Sequence, residues 1–222
     1  MAYLLHIESA TTNCSVAVSE DGDVLAIREI NSAQYSHAEN LHTFIDEVLN
    51  ESGLNLNQLH GISISKGPGS YTGLRIGVSS AKGLAFGLKI PLISVGTLAA
   101  LALQIKEEEG LIIPMLDARR MEAYTQVFSA KQKAITKVKA TLLAEDYFSE
   151  ELEENTVHFV GSGVEKFAAI CKHPNAKFHS DLHPSSKEQA AIAYQKYIHK
   201  DFEDVAYFEP FYLKDFRVGK PR

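Results

Sequence analysis

Residues 66–77 read Lys66-Gly67-Pro68-Gly69-Ser70-Tyr71-Thr72-Gly73-Leu74-Arg75-Ile76-Gly77. The run before them, 60–65, alternates Ile62 and Ile64 with small polar residues, as a strand does. The run after them, 74–88, reads as helix. A strand, a glycine loop and a helix together point backbone N–H groups outward at a helix start, where they attract anions. Pro68 fixes its own φ and biases Gly67 away from helical geometry, so the loop is shaped. It is not a P-loop, because Thr72 is followed by Gly73 where that motif has Lys directly before Ser or Thr. Gly67, Gly69, Ser70, Thr72 and Arg75 are therefore a candidate anion or nucleotide site. A tight loop that only lets the helix pack closely fits the same residues.

The helix carries Gly73, Gly77 and Gly83 in its interior, and Gly87 is placed to cap its end. Interior glycines cost about 1 kcal/mol each against alanine, so something must offset them. At helical spacing, Gly73, Gly77, Ala81 and Ala85 form one small-residue stripe, and Ser79, Gly83 and Gly87 form a second. The remaining face holds Arg75, Lys82 and Phe86. The expectation is a helix that packs on its own sheet and also serves a subunit interface. The plainer reading is a core helix with one stray exposed Phe.

At 222 residues and 45% hydrophobic, the chain can bury one large core or two modest lobes. A net charge of −6 argues against strong autonomous nucleic-acid binding. Basic residues gather only at the end, where Lys214, Arg217, Lys220 and Arg222 stand against Asp215. That tail reads as a solvated end, with contact to RNA as the sharper alternative. Two distant cysteines, Cys14 and Cys171, suggest reduced thiols and a cytoplasmic protein. No apolar run reads as a signal peptide or a membrane span.

Taken in order, strands are expected at 3–8, 14–19 and 24–30, with an Asp21-Gly22 hairpin turn. A helix capped by Ser36 and Glu39 follows, running to Gly53. Next come a strand at 61–65, the glycine loop with its helix, a strand at 90–95, and a helix at 97–109. The second half repeats that order: strands at 111–117, 121–129 and 134–140, a helix at 144–153, a strand at 157–160, and a helix after Gly161-Ser162-Gly163. A helix capped by Ser185 and Glu188 and a short extended ending, 209–213, complete the chain. Two lobes, 1–109 and 110–222, are thus expected. Duplication of this unit resembles the actin-like, ribonuclease-H-like α/β lobes shared with Hsp70 and the sugar kinases. In that fold, carboxylates ending the first strand of each lobe face a nucleotide in the cleft. Here those positions are Glu8 and Asp117.

The run 67–77 also resembles the signature of the TsaB (YeaZ) family, bacterial proteins that help make threonylcarbamoyladenosine in tRNA. Ser36-His37-Ala38-Glu39, 117–124 and Pro210-Phe211-Tyr212-Leu213 extend the match over nearly the whole chain. The family's Asp-Thr-Ser turn after the first strand is replaced by Glu8-Ser9-Ala10, which puts nucleotide or magnesium binding there in doubt. The resemblance implies an accessory subunit with no tightly bound cofactor. It would pair with a TsaD-like catalytic subunit, self-associate as an alternative homodimer, and work with a TsaE-like ATPase that uses ATP. Contact with tRNA would come mainly through the complex, away from any membrane. Pairing through first-lobe helices would involve Gly73, Arg75, Gly77, Ala81, Lys82 and Phe86, with His37 and Leu41 beside them.

An active site of the chain's own finds little support. The catalytic relatives hold a metal through histidines at i, i+4. Here His37 and His42 are at i, i+5, about 140° apart on a helix. His179 and His183 have the i, i+4 spacing, but Asp181 and Pro184 suggest a loop. Ser70 lacks the GxSxG context, and capping the helix is its simpler role. Asp117 with Arg119 and Arg120 reads as a structural ion-pair cluster somewhat better than as a catalytic group. No catalytic or metal-binding residue is assigned. The rival functions are an independent ATPase or kinase using the cleft between lobes and, more remotely, a metallopeptidase.

Overall fold

A computed structural model describes residues 1–32 and 37–214. The first half runs β1 (Tyr3–Glu8), β2 (Asn13–Glu20), β3 (Asp23–Asn31), α1 (His37–Ser52), β4 (Gly61–Gly67), α2 (Tyr71–Leu88), β5 (Leu92–Gly96) and α3 (Thr97–Ala102). The second half runs β6 (Leu111–Asp117), β7 (Glu122–Thr125), β8 (Phe128–Ser129), β9 (Lys139–Leu142), α4 (Ser149–Glu154), β10 (Val157–Val160), α5 (Val164–Ile170), β11 (Ala176–His179) and α6 (Ser186–Ile198).

The two sheets have the same plan. The first is ordered β3-β2-β1-β4-β5, antiparallel through β1 and parallel beyond it. The second is ordered β11-β10-β6-β7-β9, again with parallel strands on one side of its first strand and antiparallel strands on the other. β8 pairs off this path with β6. The repeat read from the order of elements is therefore a repeat of topology.

Several boundaries differ from expectation, each for a local reason. Helix α2 ends at Leu88, and Lys89 takes the left-handed cap conformation expected of Gly87. Helix α3 stops at Ala102, where Gln104 N and Ile105 N bond three residues back, to Leu101 and Ala102, in a tightening turn that buries Ile105. The strand read at 121–129 breaks at Gln126 and Val127, which turn to bond Thr136 instead of continuing the ladder. Strand β9 begins at Lys139 and α4 only at Ser149, both later than their sequence patterns suggest. Strand β11 has no counterpart among the expected elements. Ser36 lies outside the described residues, as do Asp215, Arg217, Lys220 and Arg222.

The division at 109/110 separates the sheets, but the chain crosses it a second time. Helix α6 returns to cover the first sheet, Glu203 bridges to Leu92 at its edge, and Phe208 enters the first core. One face of the first sheet is apolar: Leu5, Ile7, Val16, Ile62 and Ile64 pack on Leu41, Ile45 and Val48 of α1 and Val78, Ala81 and Ala85 of α2. Side chains of this size stabilise by about 1.5–3 kcal/mol each when fully buried. The opposite face is mixed. Leu4, Ile93 and Val95 meet Ala193 of α6, but His6, Glu8, Ser15 and Ser63 share that burial.

Polar groups can be buried only if they are satisfied, and α6 supplies the partner. Gln189 donates from Nε2 to Glu8 Oε2 at 3.1 Å and to the Ile7 carbonyl at 3.0 Å, while its Oε1 accepts from Ser63 Oγ. Because Ser63 donates there, it accepts from His6 Nδ1 at 2.7 Å, and His6 Nε2 accepts from Ser19 Oγ at 2.7 Å. Burial drives the His6 pKa down to about 3, so the ring is neutral. Ser186 reaches Ser15 in the same layer, at 2.6 Å. Helix α6 is thus held both by these hydrogen bonds and by the apolar packing of Ala190 and Ala193.

Candidate interaction face

The glycine loop is packed by its own chain. The Gly67–Pro68 peptide is cis and Gly67 has φ +103°; a Cβ there would lie 2.8 Å from the Phe211 carbonyl oxygen. A Cβ on Gly69 would lie 2.3 Å from the Ala10 carbonyl oxygen, which accepts a 2.6 Å bond from Ser70 N. Ser70 is the N-cap, its Oγ accepting from Gly73 N. The N–H groups of Ser70 and Gly73 are therefore taken, and the anion cradle expected from Gly67, Gly69 and Ser70 is corrected to a packed corner. Thr72 and Arg75 do reach the surface. The Arg75 guanidinium lies 4.1 Å over the Tyr71 ring, and that ring packs on Tyr212 at 5.0 Å.

The two carboxylates expected in a cleft have different surroundings. Glu8 is fully buried, accepting from Ala10 N at 2.7 Å and from Gln189, and burial raises its pKa. Sealed beneath α6, it does not face an open cleft, which corrects its assignment as a nucleotide ligand. Asp117 is exposed. It accepts from Lys166 Nζ at 2.6 Å and from Arg119 N at 2.7 Å, so its ion pair is with Lys166 and not with the neighbouring arginines.

The inner stripe of α2 is likewise committed. A Cβ on Gly73 would sit 2.1 Å from the Ser9 carbonyl oxygen, and one on Gly77 would sit 2.1 Å from Ser9 Oγ. Ala81 is fully buried, as are Leu41 and His37 of α1. His37 Nε2 donates to the Thr11 carbonyl at 2.7 Å. These five residues hold α1 and α2 to the sheet and the β1–β2 turn, so their place in a partner interface is corrected to internal packing. Lys82 is also occupied, donating to the carbonyls of Phe208 at 2.9 Å and Ala206 at 3.1 Å.

The outer stripe is open. Among the described residues, built Cβ atoms on Gly83 and Gly87 meet nothing within 4 Å, Ser79 is exposed, and Phe86 is 79% exposed. Because Lys82 holds the 206–208 segment one turn away, Tyr207, 84% exposed, adds a second bare ring to this neighbourhood. Between α1 and α2 runs a groove of about 430 Å³, lined by His42, Arg75, Ile76, Ser79 and Ser80 with His37 at its floor. His42 Nε2 and Ser80 Oγ stand 3.5 Å apart across it. The exposed rings of Phe86 and Tyr207 thus accompany a groove lined mainly by polar side chains, the mixture that docking faces show.

Other candidates are placed away from any shared chemistry. His37 and His42 go to different partners. His179 ends β11 and stacks on His158, while His183 lies in the loop beyond. Burial pushes the Cys14 thiol up to about 11, which keeps it protonated and unreactive. Among the described residues, no group of three or more His, Cys, Asp or Glu is arranged to hold a metal, and no helix is long and apolar enough to cross a membrane. Sequence reasoning missed Gln189 and Tyr207. The polar alternation of His6, Ser15, Ser19 and Ser63 is a signal for the first, since such a strand face needs a polar lid.

The chain matches the family described as "tRNA N6-adenosine threonylcarbamoyltransferase" (TsaD) over residues 29–218. It is 29% identical to "tRNA threonylcarbamoyladenosine biosynthesis protein TsaB" of Haemophilus influenzae, over 96% of this chain and 93% of that protein. The Escherichia coli protein of the same name is 28% identical over 96% of this chain and 94% of its own length. Among solved structures, "YeaZ from Pseudomonas aeruginosa" superposes with a TM-score of 0.81, covering 96% of this chain and all of that one at 24% identity, a likeness of fold. The duplicated sheets form a two-lobed, actin-like α/β fold, and with these matches over nearly its whole length the chain belongs to the TsaB (YeaZ) family, within the wider TsaD family.

Proposed function

We propose that this chain is a non-catalytic subunit in tRNA threonylcarbamoyladenosine biosynthesis. It docks through the outer face of α2, with α1 beside it, onto a TsaD-like catalytic subunit. In doing so it supports threonylcarbamoyl transfer to the adenosine next to the tRNA anticodon. ATP is then used by the partners, a TsaE-like ATPase among them. A second copy of this chain can occupy the same strip when the catalytic subunit is absent.

One observation carries the reading: Gly83 and Gly87 are glycine where nothing among the described residues needs them to be. Each costs helix stability of about 1 kcal/mol relative to alanine. The compensation is sought outside the chain, in a close approach by another helix beside the bare Phe86 ring. The burial of Glu8 beneath Gln189 supports the non-catalytic half of the proposal, because it removes the carboxylate that a phosphate-bound cation would need.

Reconstituted tRNA modification with purified catalytic and ATPase subunits tests the whole. Product formation is expected to depend on this chain and to survive Asp117→Asn. Full activity without the chain, or its abolition by Asp117→Asn alone, contradicts the proposal.

A further inference from the structure

The groove between α1 and α2 has a chemical bias that close helix approach alone does not use. Its walls present the Arg75 guanidinium, the His42 ring and the hydroxyls of Ser79 and Ser80, and among the described residues none that lines it is acidic. In a chain of net charge −6, a wall of donors without a carboxylate is a local departure. Among the described residues the Ser79 hydroxyl has no hydrogen-bond partner, and that of Ser80 meets only His42 Nε2, at a long 3.5 Å.

Arg75 is held ready for a ligand. The Tyr71 ring lies 4.1 Å beneath its guanidinium, and Tyr212 bonds it from the side. A guanidinium carries several N–H donors in one plane, so these contacts fix its direction and leave donors to spare. A fixed fork of this kind matches a carboxylate through two parallel N–H···O bonds.

The outer strip of α2 sets where that carboxylate comes from. Arg75 and Ser79 stand at its start, and the bare Gly83, Phe86 and Gly87 lie further along. Gly83 lies two helical turns beyond Arg75, about 12 Å along the axis. A helix that crosses α2 at Gly83 therefore reaches the groove about two turns from its own point of closest approach. Helix α2 itself holds no Asp or Glu, so α2 of a second copy cannot supply the acid.

We propose that the groove receives a carboxylate side chain from the docking helix of the catalytic subunit, and that this contact makes the face prefer that subunit to a second copy of this chain. The inference rests on the docking of that subunit along α2. Two copies paired through α2 leave the guanidinium without an opposite charge, whereas the acidic helix answers it. Charge that only one partner can answer gives specificity.

The test is calorimetric titration of the full chain with the purified catalytic subunit at low and at high salt, with sedimentation velocity of the chain alone beside it. Arg75→Gln removes the charge and keeps a polar side chain. Its affinity for the catalytic subunit should fall about tenfold at low salt, and the gap should narrow at high salt, where a rim charge is screened. Arg75→Lys should recover part of the loss, since the charge returns without the fork. Self-association of both variants should match the parent. Ser79→Asp, at an exposed site that folding tolerates, places a carboxylate in the groove from this side. Its affinity for the catalytic subunit should likewise fall about tenfold.

Unchanged affinity in Arg75→Gln and Ser79→Asp overturns the proposal. So does a loss of equal size at both salt concentrations that Arg75→Lys does not restore, or one matched by lost self-association, because Arg75 then contributes packing and not charge. Phe86→Glu separates this proposal from the docking beneath it. If Phe86→Glu loses the catalytic subunit while the groove variants bind like the parent, docking along α2 stands and the carboxylate contact falls. If all of them bind like the parent, the docking surface lies elsewhere and both fall.

Discussion

Gly77 and Gly83 lie on one helix, less than two turns apart, and answer to different neighbours. A Cβ on Gly77 would fall 2.1 Å from Ser9 Oγ and 3.0 Å from Ile64, whereas one on Gly83 would meet nothing within 4 Å. The first glycine is explained by the fold: the β1–β2 turn runs so close beneath α2 that no side chain fits. The second is not, and its helix-weakening effect has no reason among the described residues. Small residues on a helix therefore mark close approach only as a class. The three-dimensional surroundings decide whether the approaching partner is already present in the chain.

The contrast can be broken most violently on the sealed side. Gly73→Ala and Gly77→Ala should each cost about 3 kcal/mol or more, because overpacking against the β1–β2 turn forces backbone movement. Urea denaturation should show the midpoint falling steeply, and a change under about 1 kcal/mol would mean that the turn yields easily.

Acid is the next largest perturbation, acting on the layer beneath α6. The folded pKa of His6 is about 3, below its ordinary value of 6.5. The stability this contributes is complete above pH 6.5 and is lost as pH falls from there toward 3. The loss should approach about 1.4 kcal/mol per pH unit. Glu8 acts in the opposite sense: burial raises its pKa, so its contribution is lost as pH rises. Denaturation midpoints between about pH 7 and 5 should therefore decline in the parent and decline less in His6→Gln.

On the open side the effects are small, and that smallness is informative. Gly83→Ala should stabilise the isolated chain by about 1 kcal/mol, since alanine is the better helix former and has room. Phe86→Glu should change stability by no more than about 0.5 kcal/mol, as expected for an exposed site. A large loss from either, measured by thermal melts, would show that the outer stripe is packed in solution.

The fold is legible because its signals are local. The Asp21-Gly22 turn, the alternation of β1 and β2, the apolar stripe of α1 and the Ser185 cap each follow from a few adjacent residues. The role of α6 is not legible, because its attachment depends on Gln189 meeting Glu8 and Ser63, more than a hundred residues away. Of the interaction site, the pattern of α2 reveals that two stripes exist, and Phe86 stands out correctly as exposed. It does not reveal which stripe is covered, because Gly73 and Gly83 look alike until Ser9 is placed. Their helix draws His37 and Leu41 into the site on sequence grounds, yet both point inward. Arg119 and Arg120 read in sequence as partners of Asp117, since nothing local shows that Lys166 takes that place.

The most direct test of the central claim is the affinity of the purified catalytic subunit for the parent chain and for Gly83→Ala/Phe86→Glu, by titration calorimetry. The account predicts a double variant at least as stable as the parent whose binding is weakened tenfold or more, about 1.4 kcal/mol. Unchanged affinity in a well-folded double variant would contradict it, and would place the docking surface elsewhere on the molecule.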